Sequence, residues 1–238
     1  MSSKEFDVDQ LAAYLHVTPD QVSKLASRGT LPARRISGQW RFSESDVHHW
    51  LEEKIGASDA EALGKMEVML DRNAHVDDEQ GSLADYLPID AIQIPLQART
   101  RGSVIREMCQ LAANTGLLWD AAGMSEAVAA REELHPTALE SGVALLHPRR
   151  PQSTILAEPI LALGITGQPL PFGNKSGHLT DVFFLICSTD DRTHLRMLAR
   201  LSRLLTDSVW LTQLRSAASP AEALELVRSG ELELLSQR

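Results

Sequence analysis

The chain has 238 residues, 43% of them hydrophobic and 23% charged, and a formal charge of −9. That length suits one or two domains and that composition a globular protein. No apolar run approaches the roughly 20 residues that span a bilayer. The opening Met1-Ser2-Ser3-Lys4-Glu5 lacks the apolar core of a secretory leader, so a cytoplasmic protein with no membrane partner is expected. Cys109 and Cys187 each lie in apolar sequence and far apart; they read as buried thiols in a reducing compartment, not as a disulfide framework or a metal cluster. The acidic balance argues against wholesale nucleic-acid binding. Yet Gln21 to Ser43 carries Lys24, Arg28, Arg34, Arg35 and Arg41 and no acidic residue. A basic stripe on an acidic chain is the footprint of a small DNA-contacting module.

Residues 1–55 read as the first domain. Leu11, Ala12 and Leu15 give a short helical face. Thr18-Pro19-Asp20-Gln21 starts a second helix: Thr18 caps it, Pro19 suits its first position, and Gln21 completes a capping box. Val22 and Leu25 face inward, and Gly29 stops the helix. Leu31 to Ile36 is extended, Ser37-Gly38 is a turn, and Gln39-Trp40-Arg41-Phe42 is the return strand, with Trp40 as a packed indole. Ser43 caps a third helix whose inward residues are Val47, Trp50 and Leu51.

Residues 56–82 read as a polar linker, with a weakly apolar helix from Glu61 to Leu70, or alternatively as a segment that docks on one of the domains. From residue 83 to 238 helices and strands interleave. Ala91 to Leu96 alternates like a strand, and Pro95 places it at a sheet edge. Val104 to Ala112 and Ser125 to Leu134 are helical. Val143-Ala144-Leu145-Leu146 is a short apolar run ending at His147. Ile160 to Ile165 and Val182 to Cys187 are buried strands. Helices follow over Asp191 to Leu205, Ser208 to Arg215 and Pro220 to Val227. The expected fold is an α/β (α+β) domain with a mixed sheet flanked by helices, behind a small N-terminal winged helix-turn-helix.

Leu11-Ala12-Ala13-Tyr14-Leu15, Val17-Thr18, Val22, Leu25, Gly29, Leu31-Pro32-Ala33-Arg34-Arg35, Gly38-Gln39-Trp40-Arg41-Phe42, Val47 and Trp50-Leu51 together resemble the excisionase or MerR-like winged helix-turn-helix family. The resemblance implies that the second helix enters the major groove and the hairpin wing meets the backbone or the minor groove. Asp20, Lys24 and Arg28 share a helix face at intervals of four. Gln21, Lys24 and Arg28 on that helix, and Arg34, Arg35 and Arg41 on the wing, are the expected duplex-DNA contacts. Asp20, an awkward charge on a reading face, suits the helix dipole instead. One module of this size makes few contacts, so a homodimer or paired sites would supply specificity.

The second region resembles the nitrogen-regulatory and mannitol/fructose type of phosphotransferase IIA domain over residues 83–235. Three segments carry the resemblance: Ala129-Ala130-Arg131-Glu132-Glu133-Leu134, Ser141-Gly142-Val143-Ala144-Leu145-Leu146-His147, and Thr189-Asp190-Asp191-Arg192-Thr193-His194-Leu195. It implies that His147 accepts a phosphoryl group from a phosphocarrier of the HPr type, ultimately from phosphoenolpyruvate, with Arg131 and His194 assisting and no resident cofactor or metal. A neutral imidazole is nucleophilic near neutral pH, and phosphoryl transfer asks mainly for positioning and charge compensation. Arg131 offers a planar fork, His194 lies near a helix start that favours anions, and Arg149 and Arg150 add positive potential. The sequence departs from the family at Leu146-His147-Pro148, where Pro-His-Gly is usual, and at Glu140, which is expected to bring negative charge toward an incoming phosphoryl group. Glu132 and Glu133 read as a solvated face and Asp190-Asp191 as helix caps.

The function expected from both halves is a transcriptional regulator whose IIA-like domain senses phosphotransferase status. The alternatives are a phosphocarrier or transferase in a relay, and a degenerate IIA fold that binds proteins without being phosphorylated.

Overall fold

The computed structural model describes residues 5–15, 17–57, 61–64, 81–174 and 176–236. The chain divides into two compact units, Met1–Glu79 and Gln80–Arg238. Residues 61–64 are helical with Leu63 buried; the rest of the helix expected to reach Leu70 lies outside the described residues.

In the first unit β1 (Glu5–Phe6) leads into α1 (Val8–Tyr14), and α2 (Pro19–Ser27) follows after a short turn. Both helices open on reciprocal capping boxes, Asp7 with Gln10 and Thr18 with Gln21, which satisfy two otherwise orphaned N–H groups each. Strands β2 (Arg34–Ile36) and β3 (Gln39–Ser43) form a hairpin, and with β1 they make an antiparallel sheet of order β1-β3-β2. Ser37 and Gly38 both have positive φ, 51° and 82°. That is the handedness a two-residue hairpin turn needs. Helix α3 (Glu44–Ala57) closes the unit over a core of Leu11, Val22, Leu31, Phe42, Val47 and Leu51. Ser43 ends β3, and its hydroxyl meets that of Ser45 at 2.8 Å. Trp40 is half-buried, not packed as a core indole, and the Arg35 guanidinium lies 4.6 Å above its ring.

In the second unit a four-stranded mixed sheet has the order β4-β6-β7-β5. Its strands are β4 (Ile92–Leu96), β5 (Val143–Leu146), β6 (Ile160–Pro171) and β7 (Leu179–Cys187). β4 pairs parallel to β6, β6 antiparallel to β7, and β7 parallel to β5. The proline-bearing strand β4 is at an edge, where its missing N–H costs no ladder bond. One sheet face, including Ala144, Leu146, Phe183, Leu185 and Cys187, shares a core with α4 (Arg101–Asn114) and α5 (Ala121–Leu134). Helix α6 (Asp191–Leu204) contacts β7; α7 (Ser208–Arg215) and α8 (Pro220–Ser236) follow. Strand β5 is the other edge. Its outer side is covered by its own approach, since Ala138 bridges antiparallel to Ala144 and the Leu139 N–H donates to the Val143 carbonyl at 2.8 Å. Gly142 turns into the strand with φ +81°, and a Cβ there would meet the Arg215 side chain at 2.7 Å.

Candidate functional site

Two apolar strands carry the site. β5 is buried throughout and ends at Leu146, which puts His147 at the first position beyond it. The ring Nδ1 lies 2.8 Å from the Leu145 carbonyl oxygen. A carbonyl only accepts, so Nδ1 carries the proton and the lone pair of the neutral ring is on Nε2. Asp190 caps α6 by accepting the Thr193 N–H at 2.8 Å, and His194 is in the first turn that this cap fixes. The two imidazoles are brought together: their centroids are 5.0 Å apart and their planes are inclined by 55°. His147 is 2% exposed and His194 3%.

Arg131 is placed less directly. It lies in the last turn of α5, is buried, and donates from Nη1 to the His135 carbonyl at 2.7 Å. Ala138 pairs antiparallel with Ala144, so the chain back from Ala138 to His135 runs toward the end of β5 where His147 sits. Glu132, expected on a solvated face, is wholly buried. Its carboxylate accepts both the N–H and the hydroxyl of Thr137 and meets Arg101 at 3.3 Å. This ties α5 and α4 to the segment lying on β5. Sequence shows Glu132 only as one of two adjacent acids, and its charged partner Arg101 is 31 residues away. Glu140 stands before the strand whose far end carries His147, and its carboxylate accepts the Ser176 hydroxyl at 3.0 Å. A four-residue strand spans about 13 Å, so Glu140 does not bring its charge to the imidazole pair. Arg149 and Arg150 follow His147 on the exposed surface. Asp190 is the cap of α6 and Asp191 its first residue.

Ser188 was not marked by the sequence. It is the first residue beyond β7, 1% exposed, and its carbonyl accepts the Gln152 N–H at 3.1 Å. Its hydroxyl has no hydrogen-bond partner among the described residues.

In the first unit the six expected DNA contacts fall on two neighbouring elements of the chain. Lys24 is exposed on α2, and Arg28, its C-cap, is exposed too. Gln21 turns back, its side-chain oxygen accepting the Thr18 N–H at 2.8 Å, so half of its amide serves the capping box. On the hairpin Arg34 is directly opposite Arg41 and Arg35 opposite Trp40. Arg34 is 3.5 Å from Glu5, and Arg41 donates to the Gln39 side-chain oxygen at 3.2 Å. Two arginines facing each other across a hairpin repel; an anion lying along the wing would relieve that cost.

The family model of the phosphoenolpyruvate-dependent sugar phosphotransferase system, EIIA 2, matches residues 85–230. The chain belongs to that family. A helix-turn-helix domain model matches residues 5–55 ahead of the EIIA domain. The chain is 25% identical over 147 residues to the PTS system fructose-specific EIIABC component of Bacillus subtilis (strain 168), a match that covers 61% of this chain and 23% of that protein. It is 30% identical over 146 residues to a nitrogen regulatory protein of Bradyrhizobium diazoefficiens, covering 60% of this chain and 91% of the relative. The EIIA domain shares its fold with nitrogen regulatory protein IIA-Ntr from Neisseria meningitidis, at a TM-score of 0.55 and 21% identity, with 61% of this chain and 98% of that one covered. No helix among the described residues is long and apolar enough to cross a membrane.

Proposed function

We propose that this EIIA domain accepts a phosphoryl group on Nε2 of His147 and that the helix-turn-helix domain binds duplex DNA, so that the chain is a transcriptional regulator responsive to phosphotransferase status. The observation that carries the acceptor reading is the His147–Leu145 hydrogen bond, which puts the lone pair on Nε2 of a ring 5.0 Å from a second imidazole. The donor in this reading is the phosphohistidine of a phosphocarrier of the HPr type, itself charged from phosphoenolpyruvate. Nε2 attacks phosphorus, the donor's N–P bond breaks, and the electron pair of that bond returns to the donor nitrogen. The His147 ring then holds Nδ1–H and Nε2–P together and is formally cationic, and the Leu145 carbonyl stabilises that charge. His194 and the Arg131 fork compensate the phosphoryl oxygens. The nitrogen regulatory relative from Bradyrhizobium supports a regulatory role over sugar transport.

On the DNA side Lys24 and Arg28 of α2 reach a groove and Arg34, Arg35 and Arg41 hold phosphates along the wing, two copies binding paired half-sites. Added charge at His147 biases DNA binding or dimerisation.

Leu146 and Pro148 on either side of His147, where the family usually has proline and glycine, favour a second reading, a IIA fold that binds a protein without being phosphorylated. Intact mass after incubation with phosphoenolpyruvate, enzyme I and a phosphocarrier separates the two. One acid-labile phosphoryl group is expected, absent from His147→Ala. A folded wild-type sample that gains no mass defeats the acceptor reading and leaves the second.

A further inference from the structure

Ser188 holds a buried hydroxyl with no hydrogen-bond partner among the described residues. Such groups are rare in folded proteins and call for an explanation. Its position supplies one. β5 and β7 run parallel with Leu146 opposite Leu185, and both of these residues face α4 and α5. Alternation turns His147 and Ile186 to the opposite face. Ser188, two residues beyond Ile186, follows them. Parallel strands end at the same side of a sheet, so Ser188 leaves β7 where His147 leaves β5. The same segment then runs through Thr189 and Asp190 into the helix turn that carries His194. His194 and Ser188 thus reach the acceptor from one short stretch of chain.

We propose that Ser188 is a phosphoryl-binding residue, its hydroxyl donating to a non-bridging oxygen of the group carried on His147 Nε2. The proposal rests on the acceptor reading and adds a residue to it. A phosphoryl group presents three strong acceptor oxygens. A hydroxyl rotates freely and donates to one of them without adding charge, which leaves the cationic partners for the others. The group that satisfies the hydroxyl then arrives with the phosphoryl. Thr180 is the internal contrast. It is also buried, with no hydrogen-bond partner for its hydroxyl among the described residues, but it stands near the start of β7, at the far end of the strand from His147.

The test equilibrates the full-length protein with phosphoimidazole and imidazole and measures phospho-His147 by phosphorus NMR. Transfer exchanges one N–P bond for another, so the equilibrium constant reports how well the protein holds the group. Ser188→Ala is expected to lower that constant about tenfold, the usual effect of losing one hydrogen bond to a charged group. Its Tm should not fall, because an unpaired buried hydroxyl is what it removes. Ser188→Cys, of similar size and a weaker donor, should lie between, and Thr180→Val should leave the constant unchanged. An unaltered constant in Ser188→Ala, or a lowered Tm that shows the hydroxyl already engaged, overturns the proposal. Wild type that takes no phosphoryl group onto His147 instead overturns the acceptor reading beneath it.

Discussion

A neutral imidazole has one lone pair to give, and at His147 a backbone carbonyl two residues back decides which nitrogen offers it. Glu132 shows the same control by surroundings. Burial pushes its carboxyl above the usual carboxylate range, against the Thr137 hydrogen bonds and the charges of Arg101 and Arg131. A raised folded value means that this group favours the fold in acid and that the contribution is lost as pH rises from 4.5 through the raised value. Glu132→Gln mimics the protonated form. Its stability relative to wild type should therefore rise between pH 4 and pH 8 in urea melts, by about 1 kcal/mol for each unit of raised pKa. A relative fall would show that ionised Glu132 is net stabilising. The two histidines and Arg131 were legible on the segments that carry the family resemblance, and of them only His147 also ends an apolar run. Glu132 and Ser188 were not: an acid beside an acid and a serine after an apolar run look ordinary until remote chain closes over them.

Helix and strand ends fix where each element starts and stops. The Thr18–Gln21 capping box and the Ser37-Gly38 turn are local chemistry, and both could be read in order along the chain. Helix α5 begins at Ala121, earlier than Ser125, because Asp120 caps it by accepting the Gly123 N–H at 2.9 Å. Helix α8 runs on to Ser236, past the expected end at Val227 and through Gly230. That glycine is there for packing: a Cβ on it would meet Trp210 Nε1 at 2.5 Å. Elements also join through a buried ion pair. Arg200 of α6 meets Glu231 of α8 at 2.8 Å, and Glu231 also accepts the Leu83 N–H at 2.7 Å. Removing one partner strands the other charge. Glu231→Ala should cost about 3–5 kcal/mol in urea unfolding, and a loss below about 1 kcal/mol would show that water already reaches Arg200.

At the scale of the molecule, five basic residues between Gln21 and Ser43 stand on a chain of charge −9, so the proposed DNA contacts are electrostatic in origin and should be salt-sensitive. Each phosphate neutralised contributes about −0.9 to the slope of log K against log salt. Arg35→Gln should therefore make the slope shallower by about 1 in anisotropy titrations on a duplex. An unchanged slope would place Arg35 on its Trp40 ring and not on phosphate. The mixed sheet was legible because apolar runs of strand length, Ile160 to Ile165 and Val182 to Cys187, stand among helical patterns. The pairing of β5 with β7 was not, since it joins segments far apart in sequence.

The outer margin of β5 is occupied by its own upstream chain, with Ala138 and Leu139 bonded against Ala144 and Val143. A visiting protein finds no open ladder to extend along that flank. His147 lies beyond the end of that closed margin, followed in the chain by the exposed Arg149 and Arg150, so a docking protein would recognise side chains there and not a strand edge.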